Sequence, residues 1–512
     1  MKSKNKKWNL DNSYLELPDC FYEKIKPSLV QNPKLIYFNN KLAKQLNLEF
    51  LNNDISLSAS YLSGNKLPDN SEPIAQAYAG HQFGHFTMLG DGRAILLGEQ
   101  KDVNNKLCDI QLKGSGKTSF SRSGDGRATL SSMMREYLMS ESMHCLKIAT
   151  TRSLAVVDTG EKVYRQTANN GGILTRISSS HIRVGTFEYA KHFCSKEDFQ
   201  KFTNYVINRH YPTISNKESP YTELLKLVMK KQIDLVVDWI RVGFIHGVMN
   251  TDNMSISGET IDYGPCAFLN TYDPKTVFSS IDHYGRYAFE NQHKIAYWNL
   301  SVFAGTILQF IDSDENKAID LAQNILNQFS IQYTNKWYKM MYNKLGIINP
   351  KNEDKVLISD LLKLMELKKA DYTNTFEDSK TTQEKEITVL SKQIKSTYKT
   401  QYIKLNGKTE SEHEVDVSSE INAKVIDILV KKGDVVEKDD VLCQLTIDVE
   451  TRALMAQKEL EYTAAKKLFE KGYKSQNHLA AVKTSYDAAL ALIEKTKITS
   501  PFAGIVDDIQ SD

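Results

Sequence analysis

The stretch Phe244–Gly264, FIHGVMNTDNMSISGETIDYG, constrains this chain more than any other. It sets His246-Gly247-Val248 ahead of Asn253, which lies five positions past Val248, and then Asp262-Tyr263-Gly264, nine positions past Asn253. An amide and a carboxylate carried on two such turns are hard oxygen donors of the kind that hold a divalent cation against phosphates. A buried strand–turn–strand hairpin with a few polar turn residues accounts for the same letters, because short motifs also arise by chance. On this stretch alone both readings stay open.

Protein-kinase-like enzymes use an H-x-D-x-x-x-x-N loop followed by D-F-G, in which the Asn and the second Asp hold magnesium on the ATP phosphates. Asn253 and Asp262 fall at those two positions. The position of the kinase catalytic aspartate holds Val248, which cannot accept a proton, and Asp252 stands beside Asn253 instead. The loop therefore reads as one that holds Mg-ATP without running ordinary kinase chemistry in the ordinary way.

Upstream, Gly90-Asp91-Gly92-Arg93-Ala94 precedes the apolar run Ile95-Leu96-Leu97, and the same five letters recur at Gly124-Asp125-Gly126-Arg127-Ala128. Glycine turns let backbone N–H groups approach phosphates, yet tight hairpins use them too. In Cys108-Asp109-Ile110-Gln111-Leu112-Lys113 apolar and polar residues alternate as in a half-buried strand. Lys113 at its end can meet phosphate as a compact cation, or simply lie in solvent. Ala128–Cys145 reads as a helix, and Glu136 on it is placed to pair with Lys113. Arg176 and Arg183 bracket the Ser178–Ser180 turn and suit either a bidentate phosphate clamp or surface ion pairs. His81, His85 and His181 show no metal-ligand spacing and read as structural or substrate-shaping.

The rest of the chain bounds the function. Its 512 residues suggest about three domains. A net charge of +2 gives no electrostatic case for nucleic acid or an anionic membrane. Six cysteines lie scattered with no C-x-x-C pair, which fits a reducing compartment. The N-terminus has no apolar run of signal-peptide type and no segment reads as a membrane span, so a cytoplasmic location is expected. Residues 150–190, including His181–Phe187, read as strands and turns. Helical spacing dominates Lys191–Val242, Phe289–Ile311, Asp314–Phe329 and Val356–Leu367. From about Asp378 the composition shifts to Lys, Thr, Glu and Ser, as in a linker. Short strands with a turn at Lys431–Asp434 follow, then two helices, Val449–Lys471 and Ser475–Lys495, joined by Gly472-Tyr473-Lys474. Val482, Tyr486, Ala489 and Ile493 form a seam on the second, which fits a coiled-coil pair or an ordinary helical hairpin.

Residues 8 to about 375 resemble the selenoprotein O (YdiU) family, on the blocks QAYAGHQFGHF…LGDGRA, DIQLKGSGKTSFSRSGDGRATLSSMMREYL, TRSLAVV, GGILTRISSSHIRVGTFEY, FIHGVMNTDNMSISGETIDYGPCAFL and ADYTNTF. The resemblance implies an α+β, bilobal protein-kinase-like fold and a protein adenylyltransferase. It also implies that ATP is bound flipped relative to kinases, so that AMP would go to a protein Ser, Thr or Tyr hydroxyl. By motif position it implies ATP contacts from Gly90, Gly92, Arg93, Lys113, Asp125, Gly126, Arg176, Arg183 and Asp262. Mg²⁺ (or Mn²⁺) falls to Asn253 and Asp262, proton acceptance to Asp252, and a supporting part to Glu136. SSEINAKVIDILVKKGDVVEKDDVLCQL and KITSPFAGIVDD resemble periplasmic adaptor (membrane-fusion) proteins, which implies a lipoyl-like β half-domain with an α-helical hairpin. No anchor or β-barrel segment is expected with it, and the residues past ADYTNTF do not read as the helices and the cysteine or selenocysteine with which the selenoprotein O family continues.

The expected division is a nucleotide-binding small lobe over 1–190, a helical large lobe over 191–378, a linker over 379–412 and the adaptor-like segment over 413–512. Three functions fit: the adenylyltransferase, with ATP and protein partners and no nucleic acid; a non-catalytic pseudokinase scaffold; and an interaction protein that works through its C-terminal hairpin.

Overall fold

The computed structural model describes residues 8–378, 415, 417–419, 423–446, 449–470 and 475–509. The expected linker at 379–412 and the turn Gly472-Tyr473-Lys474 lie outside them. The chain divides into two compact units, Met1–Thr388 and Val389–Asp512.

The first unit is a mixed α and β structure. Its antiparallel sheet has nine described strands, seven of them in the order Tyr22–Lys24, Ile74–Gln76, Ala94–Lys101, Leu107–Lys113, Ala168–Ser178, Arg152–Tyr164 and Lys34–Phe38. Period-two alternation gives the central strands two different faces. Ile110 and Leu112 point into an apolar cluster with Leu97, Leu154, Val157, Ile173 and Ile177, covered by Leu42, Leu46 and Leu62 of the short N-terminal helices. Asp109, Gln111 and Lys113 point the other way, and cross-strand register sets Arg176 opposite Gln111. This polar face is buried, so the solvated reading of Lys113 fails: the residue is 5% exposed.

Beyond the sheet the unit is mostly helical. Pro220–Arg241, Gln292–Ile311, Glu315–Leu326, Phe329–Leu345 and Glu353–Lys368 share a large core that includes Leu224, Val228, Leu235, Trp239, Leu300, Phe303 and Met341. A two-stranded pair, Phe244–Ile245 with Ala267–Phe268, brackets the loop singled out in the sequence. The hairpin reading was thus sound for the ends of that loop, while its middle carries buried His246, Asn250, Thr251 and Asp252.

Two expectations need correction. Residues 150–178 form one long hairpin, Arg152–Tyr164 with Ala168–Ser178, in place of several short strands. Val184–Phe193, expected to begin as strand, is a helix that crosses the boundary drawn at 190. Its first seven residues are all buried, and tertiary packing overrides the weak local preferences of so short a stretch.

The second unit, described by itself, has a three-stranded sheet of Val425–Ile428, Val441–Leu445 and Lys497–Thr499, and a two-stranded pair of Val435–Val436 with Gly504–Ile505. Helices Val449–Glu470 and Gln476–Glu494 pack together, with Tyr462 stacked on Tyr486 at 5.2 Å between ring centres.

Candidate active site

The loop between Phe244 and Phe268 is held by its own polar groups. The His246 backbone N–H donates to Gln292 Oε1 at 3.1 Å, and Gln292 returns a bond to the Phe244 carbonyl at 2.9 Å. His246 Nδ1 accepts from the Val248 N–H at 3.4 Å, so Nε2 carries the proton and donates to the Ile261 carbonyl at 2.9 Å. That histidine thus ties the Val248 end of the loop to the Asp262 end. Asn253 donates through Nδ2 to the Val248 carbonyl at 3.0 Å, which leaves the acceptor oxygen Oδ1 to face a cation. Asp262 takes a left-handed backbone, φ 61°, a conformation aspartate tolerates better than most residues. Arg135 secures the chain just beyond by donating to the carbonyls of Gly264, at 3.2 Å, and Cys266.

Around Asp262 the buried polar face of the sheet supplies cations. Lys113 Nζ donates to Glu136 Oε2 at 2.7 Å and also to Asp262 Oδ1. Arg176 donates to Asp262 Oδ1 at 2.6 Å, pairs with Glu136 at 3.3 Å, and forks onto Gln111 Oε1 at 2.6 and 3.2 Å. Arg183 lies 3.6 Å from Asp262 Oδ2 and stacks over the Tyr78 ring at 4.2 Å. Burial alone would raise the Asp262 carboxyl, but Lys113, Arg176 and Arg183 overcome it and hold it well below the usual range. Three cations face the two carboxylates of Glu136 and Asp262, and this excess suits a polyphosphate.

Asp252 lies in a contrasting environment. Arg183 donates to its backbone carbonyl at 3.1 Å, while its Oδ1 is buried with no hydrogen-bond partner. Burial pushes the carboxyl up to about 7 against the pull of Arg183. The strand pair Ala79–Gln82 and His85–Met88 closes over it: a Cβ on Gly80 would lie 2.7 Å from Oδ1, so only glycine leaves that oxygen room.

The other expected residues form a separate lip. A side chain at Gly90, φ +112°, would strike the Phe120 ring at 2.3 Å, and one at Gly126 would strike the Gly116 carbonyl at 2.1 Å. Gly92 lies against the Phe120 carbonyl. Arg93 is exposed and offers its carbonyl to the Gly114 N–H at 2.6 Å. Asp125 is forked by Arg165 at 2.9 and 3.0 Å on the surface. None of these five touches Lys113, Arg176 or Asp262 through a side chain. The residue that joins lip to cluster is Asp91, between Gly90 and Gly92, whose Oδ2 accepts from Gln111 Nε2 at 3.0 Å. Asp91 and Gln111 were not singled out in the sequence, although alternation sets Gln111 on the Lys113 face. A cavity of about 1120 Å³ lies elsewhere, lined by Tyr137, Glu141, Arg241 and Lys344, and includes none of the site residues.

Known proteins bear on this arrangement. The profile of the family described as protein adenylyltransferase SelO matches residues 5–498. This chain belongs to that family. Proteins named protein nucleotidyltransferase YdiU are similar to it. The one from Pelagibacter ubique is 57% identical over 370 residues, 72% of this chain and 76% of its own length. Those from Nitrosococcus oceani and Anoxybacillus flavithermus are 53% and 55% identical over 378 and 374 residues, again covering 77% and 78% of their lengths. A crystal structure from Bacteroides eggerthii assigned as an efflux transporter overlaps 19% of this chain and 34% of its own at 17% identity, with a TM-score of 0.17, too slight a likeness to carry an argument. Membership of the SelO family makes the chain a nucleotidyltransferase, with a nucleotide and a protein as its substrates. No helix among the described residues is long and apolar enough to cross a membrane.

Proposed function

We propose that this chain transfers AMP from ATP to Ser, Thr or Tyr hydroxyls of cytoplasmic proteins, from a bilobal kinase-like fold whose lobes are about residues 1–190 and 191–378. The second unit is then a lipoyl-like half-domain with its hairpin. The observation that carries the reading is the division of labour between two aspartates ten positions apart. Asp262 is ion-paired to cations, Asp252 is buried with an unpartnered oxygen, and Val248 stands where a kinase base would be.

In this reading the nucleotide lies reversed, with its α-phosphorus toward the acceptor. The hydroxyl oxygen forms a bond to that phosphorus as the bond to the α,β-bridging oxygen breaks, and pyrophosphate departs. The hydroxyl proton passes to Asp252 Oδ1. A carboxylate raised to about 7 is well matched to accept a proton near neutrality. Lys113, Arg176 and Arg183 shift from Asp262 onto the phosphates and take up charge as it moves toward pyrophosphate. Glu136 keeps Lys113 aimed, and backbone at Gly90, Gly92 and Gly126, with Arg93 and Asp125, borders the nucleotide.

Asn253 Oδ1 and Asp262 would hold Mg²⁺ or Mn²⁺, which supplies neutralisation of the phosphate oxygens. The donor set fits such an ion, since magnesium keeps water and substrate phosphates for most of its shell and asks the protein for one or two ligands. Among the described residues no cluster of three or more His, Cys, Asp or Glu offers a fuller cage.

Mass spectrometry of acceptor proteins incubated with the chain, ATP and Mg²⁺ tests the reading. Adenylate on Ser, Thr or Tyr is the expected product. Phosphate on those residues, or adenylate on lysine amines, would overturn it.

A further inference from the structure

Arg176 and Arg183 reach the same carboxylate from different elements: Arg176 from the strand Ala168–Ser178, Arg183 from the N-cap of the helix Val184–Phe193. Only residues 179–182 separate the two elements, so the shape of that turn sets the spacing of the two guanidinium groups.

A second buried charge cluster grips this turn. Arg209, on the helix Lys196–His210, donates to the Ser179 carbonyl at 2.9 Å and to Asp109 Oδ1. Through its other nitrogen it donates to Glu99 Oε1 at 2.6 Å and to the Tyr205 hydroxyl at 2.7 Å. Asp109 accepts from both the backbone N–H and Nδ1 of His181, at 2.9 and 3.0 Å. From the opposite side Glu259 accepts from Ser178 Oγ at 2.8 Å and from Ser179 N and Oγ at 3.1 and 2.7 Å. His210 adds a bond to Ser180 Oγ at 2.8 Å.

Each residue from Ser178 to His181 is thus bonded to a side chain of a distant element. Buried ion pairs add little net stability over apolar packing of the same shape, but they are directional, and breaking one is costly. An apolar plug would fill the same space without fixing the turn to a fraction of an ångström. Affinity for a triphosphate depends on that spacing, because two guanidinium groups grip phosphate oxygens through directional charge-assisted bonds. Burial keeps the His181 ring neutral, its pKa lowered to about 4, so it adds no third positive charge beside Arg176 and Arg183.

We infer that Arg209 is a positioning residue for adenylate transfer: with Asp109 and Glu259 it locks the 178–181 turn and so sets the distance at which Arg176 and Arg183 grip the triphosphate. This rests on the site reading given above. Arg209 itself touches neither nucleotide nor acceptor.

The test uses the full chain with Mg-ATP. Its readouts are the dissociation constant by calorimetry, and KM and kcat for transfer of α-labelled adenylate to a soluble protein extract. Arg209→Lys keeps the charge but cannot bond Ser179, Asp109 and Glu99 together. It is expected to raise the ATP dissociation constant and KM about tenfold, with kcat changed less than about threefold. Ser179→Ala and Glu259→Gln loosen the turn while Arg209 stays in place. They should move the same constants in the same direction by about threefold, and they carry the test if Arg209→Lys does not fold. Unchanged ATP affinity in these variants, with only the folded fraction or kcat reduced, would show the cluster to be structural and overturn the inference. A parent chain that binds Mg-ATP yet moves no α-label would overturn the site reading instead, and the ratio of dissociation constants would still decide the part played by Arg209.

Discussion

Asp252 and Asp262 sit on the same loop and carry the same functional group, yet the fold treats them in opposite ways. Asp262 is partly exposed, takes a left-handed backbone and meets Lys113, Arg176 and Arg183, so its charge is permanent. Asp252 is 8% exposed, has one oxygen with no partner and holds its proton to about pH 7. Two carboxylates whose surroundings drive their proton affinities apart are the usual mark of a site that separates charge-holding from proton transfer. The comparison teaches that the role of each aspartate comes from its neighbours, and it can be broken by experiment.

The largest effect is expected from Asp262→Ala. Adenylate transfer should fall by at least about a thousandfold, since both the proposed metal ligand and the organising centre for three cations are lost. Stability should fall by about 2–3 kcal/mol in denaturant melts, because Lys113 and Arg176 are left buried beside Glu136 alone. Next comes Asp252→Asn, expected to reduce kcat by about 10²- to 10⁴-fold but, unlike Asp262→Ala, to raise stability.

The sign follows from linkage. The folded chain binds a proton at Asp252 up to about pH 7, whereas the unfolded chain releases it near 3.8. Asp252 therefore costs the parent stability progressively as pH rises through that window. The variant should match the parent near pH 4 and exceed it above pH 7 by at most about 4 kcal/mol, read by thermal melts without nucleotide or metal. An Asp252→Asn variant that melts lower than the parent at pH 8 would erase the contrast.

Smaller again is Glu136→Gln. It should cost about tenfold in kcat/KM and be non-additive with Lys113→Met, because the two residues act as one pair. The smallest effect is expected at Asp125. Asp125→Asn loosens a surface fork with Arg165 worth less than about 1 kcal/mol. Any rise in its KM for ATP would show that the Asp125 side chain, and not only its place on the glycine lip, takes part in holding the nucleotide.

Much of this was legible in the letters, for identifiable reasons. Strict alternation in Asp109–Lys113 gave a strand with one polar face, and Lys113 with Glu136 follows from that strand and the adjacent helix. Spacing picked out Asn253 and Asp262 as candidates, and the structure sets both on the loop between Phe244 and Phe268. What the sequence withheld depends on packing at long range. One end of the polar face is buried because the helix Lys196–His210, about 90 residues later, brings Arg209 against Asp109 and Glu99. Asp91 looked like a turn residue between two glycines, but Gln111 draws it inward. Val184–Phe193 has the letters of a strand and the burial of a helix. Motif spacing separates Asp252 from Asp262, but their surroundings come from afar: the unpartnered oxygen of the first lies under Gly80, and the cations of the second come from two strands and a helix N-terminus.

The most direct test of adenylate transfer by this site compares ATP labelled at the α-phosphate with ATP labelled at the γ-phosphate, using the intact chain beside Asp262→Ala. Protein should become labelled from the α position only, and the variant should leave it unlabelled. Label arriving from the γ position would mean that the terminal phosphate faces the acceptor and that the two aspartates have been given the wrong chemistry.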